Sequence, residues 1–293
     1  MATKQLTTWD EFKTALTETI TENTTYEIMN DIDVSDEILE STITCAGASS
    51  SNRKIFNGNE HKINGLTSYS SIYFFATNIY FTFNDIHFSN MMNQNGGFMQ
   101  QYGAHTSGDP LCMFNRCYFS GLTRFFATYT TFQSSFVCEF NSCSFNLKCT
   151  RFQNANFLLR FSNCYIILNP ITLYCLLTVP GGRDAYFNAN NCYIGGLLAD
   201  NVSSSDYLIS LYTGTNNVFN CTFKILNYSS TTTYSISSDN EAWLINRDKF
   251  TDQNGASITP TISHGANIYL LTDSQLKSKS YIQQNCPNFP LFG

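Results

Sequence analysis

At 293 residues the chain has room for one solenoid or two ordinary domains. Charged residues make up only 13% and carry a net charge of −6 without any Lys/Arg cluster, which argues against a nucleic-acid partner. No apolar core of signal-peptide length follows Met1, and the longest later apolar run, residues 171–179, is too short to span a bilayer, so neither ordinary export nor membrane insertion is expected.

The first predicted element is a helix over residues 6–20. Thr8 and Glu11 form the N-cap and N3 positions of a capping box, and Trp9, Phe12, Ala15, Leu16 and Ile20 share one face. An open solenoid end exposes core and unpaired backbone, so this helix is assigned as a cap over residues 1–25. Residues 26–34 alternate as a strand of the first coil, and Asn57-Gly58-Asn59 marks a turn in the next. Two strands are expected within 73–91. Residues 92–110, rich in Gly, read as a long loop suited either to binding or to a subunit contact.

From residue 83 one phrase keeps returning. It reads Phe83-Asn84-Asp85-Ile86-His87-Phe88, then Phe114-Asn115-Arg116-Cys117-Tyr118-Phe119, Phe140-Asn141-Ser142-Cys143-Ser144-Phe145 and Phe161-Ser162-Asn163-Cys164-Tyr165-Ile166. Weaker copies end in Cys192-Tyr193-Ile194 and Cys221-Thr222-Phe223. The central Ile or Cys recurs at steps of 31, 26, 21, 28 and 29 residues, a repeat in which each unit buries its apolar face against its neighbours. The last three residues alternate like a half-buried strand, and the Asn before them tolerates a corner. Stacked corners are expected to bring Asn84 or Asp85, Asn115, Asn141, Asn163, Asn191 and Asn220 into one amide ladder.

The best-ordered coils are expected at 111–227, broken by short loops near 180–184 and 200–206. Beyond 228 the repeat fades. Residues 229–240 read as a Ser/Thr linker, 242–245 and 267–271 as strands, and 271–282 as a short helix capped by Thr272 or Asp273. Cys286 to Gly293, with Phe289 and Phe292, is expected to close the far end.

This pattern resembles the right-handed single-stranded parallel β-helix of the pectate-lyase-like superfamily. The resemblance covers roughly residues 26–227, with an N-terminal capping helix before it and a C-terminal capping segment at 228–293. Gly58-Asn59-Glu60-His61-Lys62-Ile63 is similar to early coils of that superfamily, which makes His61 structural. Leu271-Thr272-Asp273-Ser274-Gln275-Leu276-Lys277 resembles the closing segment of some bacterial and phage β-helical surface proteins.

Of the eleven Cys, the five at 117, 143, 164, 192 and 221 occupy the inward slot held by Ile86 in the first copy. They are read as buried free thiols behaving as small hydrophobes in a reduced compartment. No Cys/His spacing fits zinc, so no metal or cofactor is expected.

Enzymes of the superfamily use paired carboxylates, or calcium-binding acids with a basic residue. Their signature phrases Asn-Thr-Asp, Asp-Asp, Gly-His-Gly and Arg-x-Pro-x-x-Arg are absent. Asp85, Glu139 and Asp184 are the acids in or near the coils, and a structural role accounts for Asp85 and Glu139. Arg116, Arg151, Arg160 and Arg183 are scattered, and His61, His87, His105 and His264 pair with no nucleophile; His87 is expected on the surface. No catalytic residue is assigned. The resulting expectation is a non-enzymatic structural protein of a virus or phage particle, a tail or capsid appendage. It would be made in the host cytoplasm and assembled into the virion. Its partners would be other virion proteins, further copies of itself (a trimer among the options) and a host-surface glycan. The alternatives are a polysaccharide depolymerase with a site between subunits and a bacterial adhesin-like surface protein. This rests on analogy of fold.

Overall fold

The computed structural model describes residues 1–34, 43, 45–65, 80–90, 112–121, 136–147, 157–168, 175–179, 186–196, 207–211, 217–225, 235–238, 243–264, 267–287 and 289. The predicted loops at 92–110, 180–184 and 200–206, together with Asp184, Arg151, Arg183, His105 and Phe292, lie outside the described residues.

Among the described residues, short strands repeat along the chain and pair in parallel with the coil before and the coil after, and one isolated antiparallel bridge joins Thr251 to Ser257. The first sheet runs through Ala2–Leu6, Thr24–Ile28, Lys54–Asn57, Phe81–Asn84, Cys112–Asn115, Phe136–Asn141 and Phe157–Ser162. It continues through the first halves of Tyr186–Gly196 and Asn217–Ile225 into Trp243–Asn246 and Ile268–Leu271. The second sheet runs through Ile32–Asp33, Lys62–Asn64, His87–Ser89, Tyr118–Ser120, Ser144–Leu147 and Tyr165–Leu168. The second halves of the two long strands and Phe250–Thr251 complete it. A third sheet stacks Cys175–Val179, Tyr207–Leu211, Ser235–Ser238 and Thr261–His264. This is a parallel β-helix. The ladder starts before residue 26 and continues beyond 227, and Ser235–Ser238 is a paired strand within the stretch read as a linker.

Each phrase supplies two core layers and the corner between them. The first aromatic of each coil stacks on the next: Tyr26 on Phe56 at 4.8 Å, then Phe83, Phe114, Phe140 and Phe161 at centroid distances of 5.0, 5.1, 5.1 and 4.8 Å. The second set stacks Phe88 on Phe119 at 5.5 Å and Phe119 on Phe145 at 4.8 Å. Within one coil the two rings meet edge to face, as Phe114 and Phe119 do at 75°. Offset-stacked and edge-to-face contacts are the two arrangements that the ring quadrupole favours. Parallel in-register strands impose the first, and the bend between sheets imposes the second. Phe114 is fully buried and packs on both neighbouring coils. Phe114→Ala should therefore cost about 3–5 kcal/mol, read as a lower denaturation midpoint with an unchanged m-value.

The corner differs from its prediction in one respect. Asn84, Asn115 and Asn141 form the amide ladder, with Asn84 Nδ2 donating to Asn57 Oδ1 at 2.9 Å, Asn115 to Asn84 at 2.9 Å and Asn141 to Asn115 at 3.1 Å. Glu27 takes the first place by accepting from Asn57 at 2.7 Å. The left-handed turn is made by the next residue: Asp85, Arg116, Ser142, Asn163 and Asn191, at φ between 52° and 55°. Asn163 and Asn191 belong to this second column, where Asn191 donates to Asn163 at 2.7 Å. Their place in the first column is held by Ser162 and Asn190. The amide ladder sits on regular strand backbone, so bonding and bending are done by neighbouring residues. In the last copy the turning residue is missing, and the register shifts by one between Asn190 and Tyr193.

Behind each corner the slot residue points inward. Cys117, Cys143, Cys164 and Cys192 are buried, as expected, and none of them forms a disulfide. The thiols of Cys117, Cys143 and Cys164 donate to the carbonyls of Phe83, Phe114 and Phe140, one coil back, at 3.3–3.4 Å. The side chain of Cys221 lies outside the described residues.

The capping helix spans Trp9–Thr17, shorter than predicted at both ends: Leu6 belongs to a strand and Thr8 is the N-cap, while the extended backbone of Glu18 ends the helix. Its capping box is complete: Thr8 Oγ1 accepts from Glu11 N at 3.3 Å, and Glu11 Oε2 accepts from Thr8 N at 3.0 Å. Trp9, Phe12, Ala15, Leu16 and Ile20 are buried as the spacing requires, with Phe12 against Phe56 at 5.5 Å. At the far end the predicted single helix is two, Asp273–Leu276 and Lys279–Asn285, capped by Thr272 and Ser278. Ile282, Cys286 and Phe289 pack there on Leu244 and Leu271. Among the described residues, no helix is long and apolar enough to cross a membrane.

Candidate functional site

Two of the acids that invited a catalytic reading, Asp85 and Glu139, are each paired with an arginine on the next coil. Arg116 donates to both oxygens of Asp85 at 2.6 and 2.7 Å, one coil above it at the same corner. Glu139 and Arg160 are opposite one another on adjacent rungs of the first sheet, joined at 2.6 Å. Asp85 and Glu139 are separated by the Cys112–Asn115 rung, and neither shares its coil with the other. Each of these two acids thus ties one rung to the next. His61 contacts Asp31 at 3.2 Å, and the Lys62 backbone N–H, followed by His61, holds the Asp31 carboxyl below its ordinary pKa. His264 lies in the third sheet, away from both acid pairs in the pairing scheme.

Lys54 is the buried charge that the sequence did not flag. It occupies an inward position in register with Phe81. Its ammonium donates to the carbonyls of Ala15 at 2.8 Å and Ala46 at 2.7 Å and lies over the Phe81 ring. Burial brings its pKa down to about 8. Ala15 lies in the last turn of the capping helix, where outward carbonyls favour a cation, so Lys54 pins that helix to the first coils. Beside it, Glu18 is held below its ordinary pKa: burial would raise it, but Lys4 and Tyr26 donate to it at 2.6–2.8 Å and prevail.

The outward face of the second sheet carries the other unexpected feature. The variable residue of each phrase, between the inward slot and the second aromatic, forms a column in register: Lys62, His87, Tyr118, Ser144, Tyr165, Tyr193 and Thr222. His87 is half-buried, lies against Tyr118 at 4.4 Å with the rings tilted by 39°, and its Nε2 contacts Ser120 Oγ at 2.9 Å. Burial, then the charge of Lys62, lowers its pKa, so the ring is neutral at pH 7. Tyr165 and Tyr193 stack at 4.7 Å and 9°. Tyr193 leans over Gly195, where a Cβ would stand 2.9 Å from Tyr193 Cε1, so any other residue there would displace the ring. Tyr118 and Tyr165 remain 36% and 50% exposed, large aromatic surfaces held in place and facing solvent. The sequence signal was present in the recurrence of Tyr at the variable place of the phrase. It was missed because that place also holds His, Ser and Thr.

No functionally described protein and no solved structure matches the chain. Residues 3–120, from the first strand through the Tyr118–Ser120 rung, match the family model described as "Putative pectate lyase-like adhesive domain". That match covers less than half of the chain and supports a pectate-lyase-like β-helix.

Proposed function

We propose that this chain is an adhesive scaffold displayed on a surface, in which a rigid β-helix holds the outer face of its second sheet towards a partner. The observation that carries the reading is the in-register aromatic column on that face, exposed at Tyr118 and Tyr165. Soluble proteins tolerate scattered exposed aromatics, but a buttressed row on a flat face is the composition of a recognition surface. The similarity to an adhesive domain over residues 3–120 supports it independently. The virion-appendage and adhesin readings share this function and differ only in the surface that bears the chain.

Beads coated with the purified protein should be retained on immobilised cell-wall polysaccharide, mucin or host-cell surfaces well above protein-free beads. Retention no better than the blank on all three would overturn the proposal. Release of reducing ends or unsaturated uronate from the same polysaccharides would instead favour a depolymerase. Mass spectrometry of purified virions and of shaved cell surfaces then tells which surface carries the chain.

A further inference from the structure

The aromatic column is interrupted once. Tyr118 and Tyr165 each stand opposite Ser144, one on the coil before it and one on the coil after. Coils are separated by about 4.8 Å, so the two rings bracket a gap of roughly 9.6 Å with a short hydroxyl side chain as its floor. Both walls are backed. Tyr118 rests on His87, which contacts Ser120, and Ser120 in turn donates to Ser89 at 3.2 Å. Tyr165 rests on Tyr193. The gap is flanked by Ser142 on the corner side and Asn146 on the other, both exposed.

We propose that this gap is a sugar-binding slot that takes one neutral pyranose ring of a longer glycan between the faces of Tyr118 and Tyr165. A ring seated over Ser144 would lie about 4.8 Å from each wall, the spacing at which the stack already pairs Tyr165 with Tyr193. A pyranose chair is thicker than an aromatic ring and presents C–H bonds on its faces, which the electron-rich faces of the tyrosines attract. Its equatorial hydroxyls point outward in the ring plane, towards the side chains of Ser142, Ser144 and Asn146. The walls and floor of the slot carry no formal charge, and the cation at its corner, Arg116, is already engaged by Asp85, so a neutral sugar suits it better than a uronate or sialic acid. The walls are held before any ligand arrives, which limits the ordering cost of binding. The proposal rests on the adhesive reading and gives it a ligand class.

The test uses arrays of neutral oligosaccharides (cello-, xylo-, manno- and chito-oligomers) beside polygalacturonate and sialylated glycans. The full chain should bind one or more of the neutral set. Ser144→Tyr completes the column with a side chain the same face already accepts at 118, 165 and 193, so it should fold with an equal or higher Tm and lose at least tenfold in binding. Tyr165→Thr, which copies the residue at 222, should lose a similar factor by removing a wall. Equal binding by both variants, binding confined to acidic glycans, or no glycan binding would each overturn the slot. Bead retention separates the two levels: a chain that adheres equally well as Ser144→Tyr keeps the adhesive reading and loses the slot, whereas a parent chain that does not adhere loses both.

Discussion

Raising the pH from 8 to 10 in a reducing buffer should destabilise this protein. Burial holds the thiols of Cys45, Cys138 and Cys143 well above the ordinary Cys range and raises that of Cys286. Cys164 is raised mainly by hydrogen bonds with Cys143 and Cys192, then by burial. In the unfolded chain these thiols ionise above about pH 8.5, while in the folded chain burial and hydrogen bonding move that ionisation to higher pH. The folded state then binds more protons than the unfolded one, and stability falls by about 1.4 kcal/mol per thiol for each pH unit above that point. Lys54 acts in the opposite sense, because its lowered pKa means that the unfolded chain holds the extra proton between about pH 8 and 10.5. Tyr26, raised by burial and its bond to Glu18, adds to the loss above pH 10. The raised thiols outnumber the one lysine, so stability should fall as the pH rises above about 8.5. Denaturant midpoints at pH 7.5, 8.5 and 9.5 should drop with growing steepness. Cys143→Val, which imitates Ile86 in the same slot, should remove one thiol's share of the slope. A flat profile would mean that the thiols are not shielded.

Cys143→Asp should match the costliest core truncations in the stack, with a loss of about 3–5 kcal/mol at pH 7. The native thiol is 1% exposed and donates to the carbonyl of Phe114. A carboxylate there would be an uncompensated buried charge facing an acceptor, among the costliest changes a core can suffer. A protonated carboxyl could still donate to the same carbonyl, so the penalty should shrink at low pH. Folding would raise the pKa of the new acid above its unfolded value of about 3.9, and the penalty should therefore grow as the pH rises from 4. Coils interact only with their neighbours, so the damage should be local: hydrogen exchange should open the Cys112–Asn115, Phe136–Asn141 and Phe157–Ser162 rungs first. A variant as stable as the parent would place Cys143 outside the core.

The repeat was legible because parallel stacking makes each coil solve the same packing problem. Phe114, Phe140 and Cys143 recur in the sequence since they recur in space. The capping box was legible for a similar reason, as Thr8 and Glu11 satisfy each other through a fixed local spacing. Ala2–Leu6 gave no such signal: Thr3, Lys4 and Gln5 are exposed, and only Leu6 among its residues is fully buried. Lys54 escaped notice because its charge is answered by carbonyls of Ala15 and Ala46, distant in sequence or outside any repeat. The assignment of Asn163 and Asn191 to the amide ladder failed because Asn suits both adjacent positions of the corner, one by bonding and one by backbone conformation. The tyrosine column was hidden for the opposite reason: outward positions face no common packing demand, and only register shows which of them touch.

Alkylation of the native protein by N-ethylmaleimide, with each cysteine located by peptide mass spectrometry, tests the stacked interior most directly. Cys112, Cys117, Cys138, Cys143, Cys164 and Cys192 should label only as fast as the chain unfolds, and all at once in denaturant. Labelling of the corner thiols within minutes under native conditions, at the rate of a free cysteine, would contradict the stack and the outward face built on it.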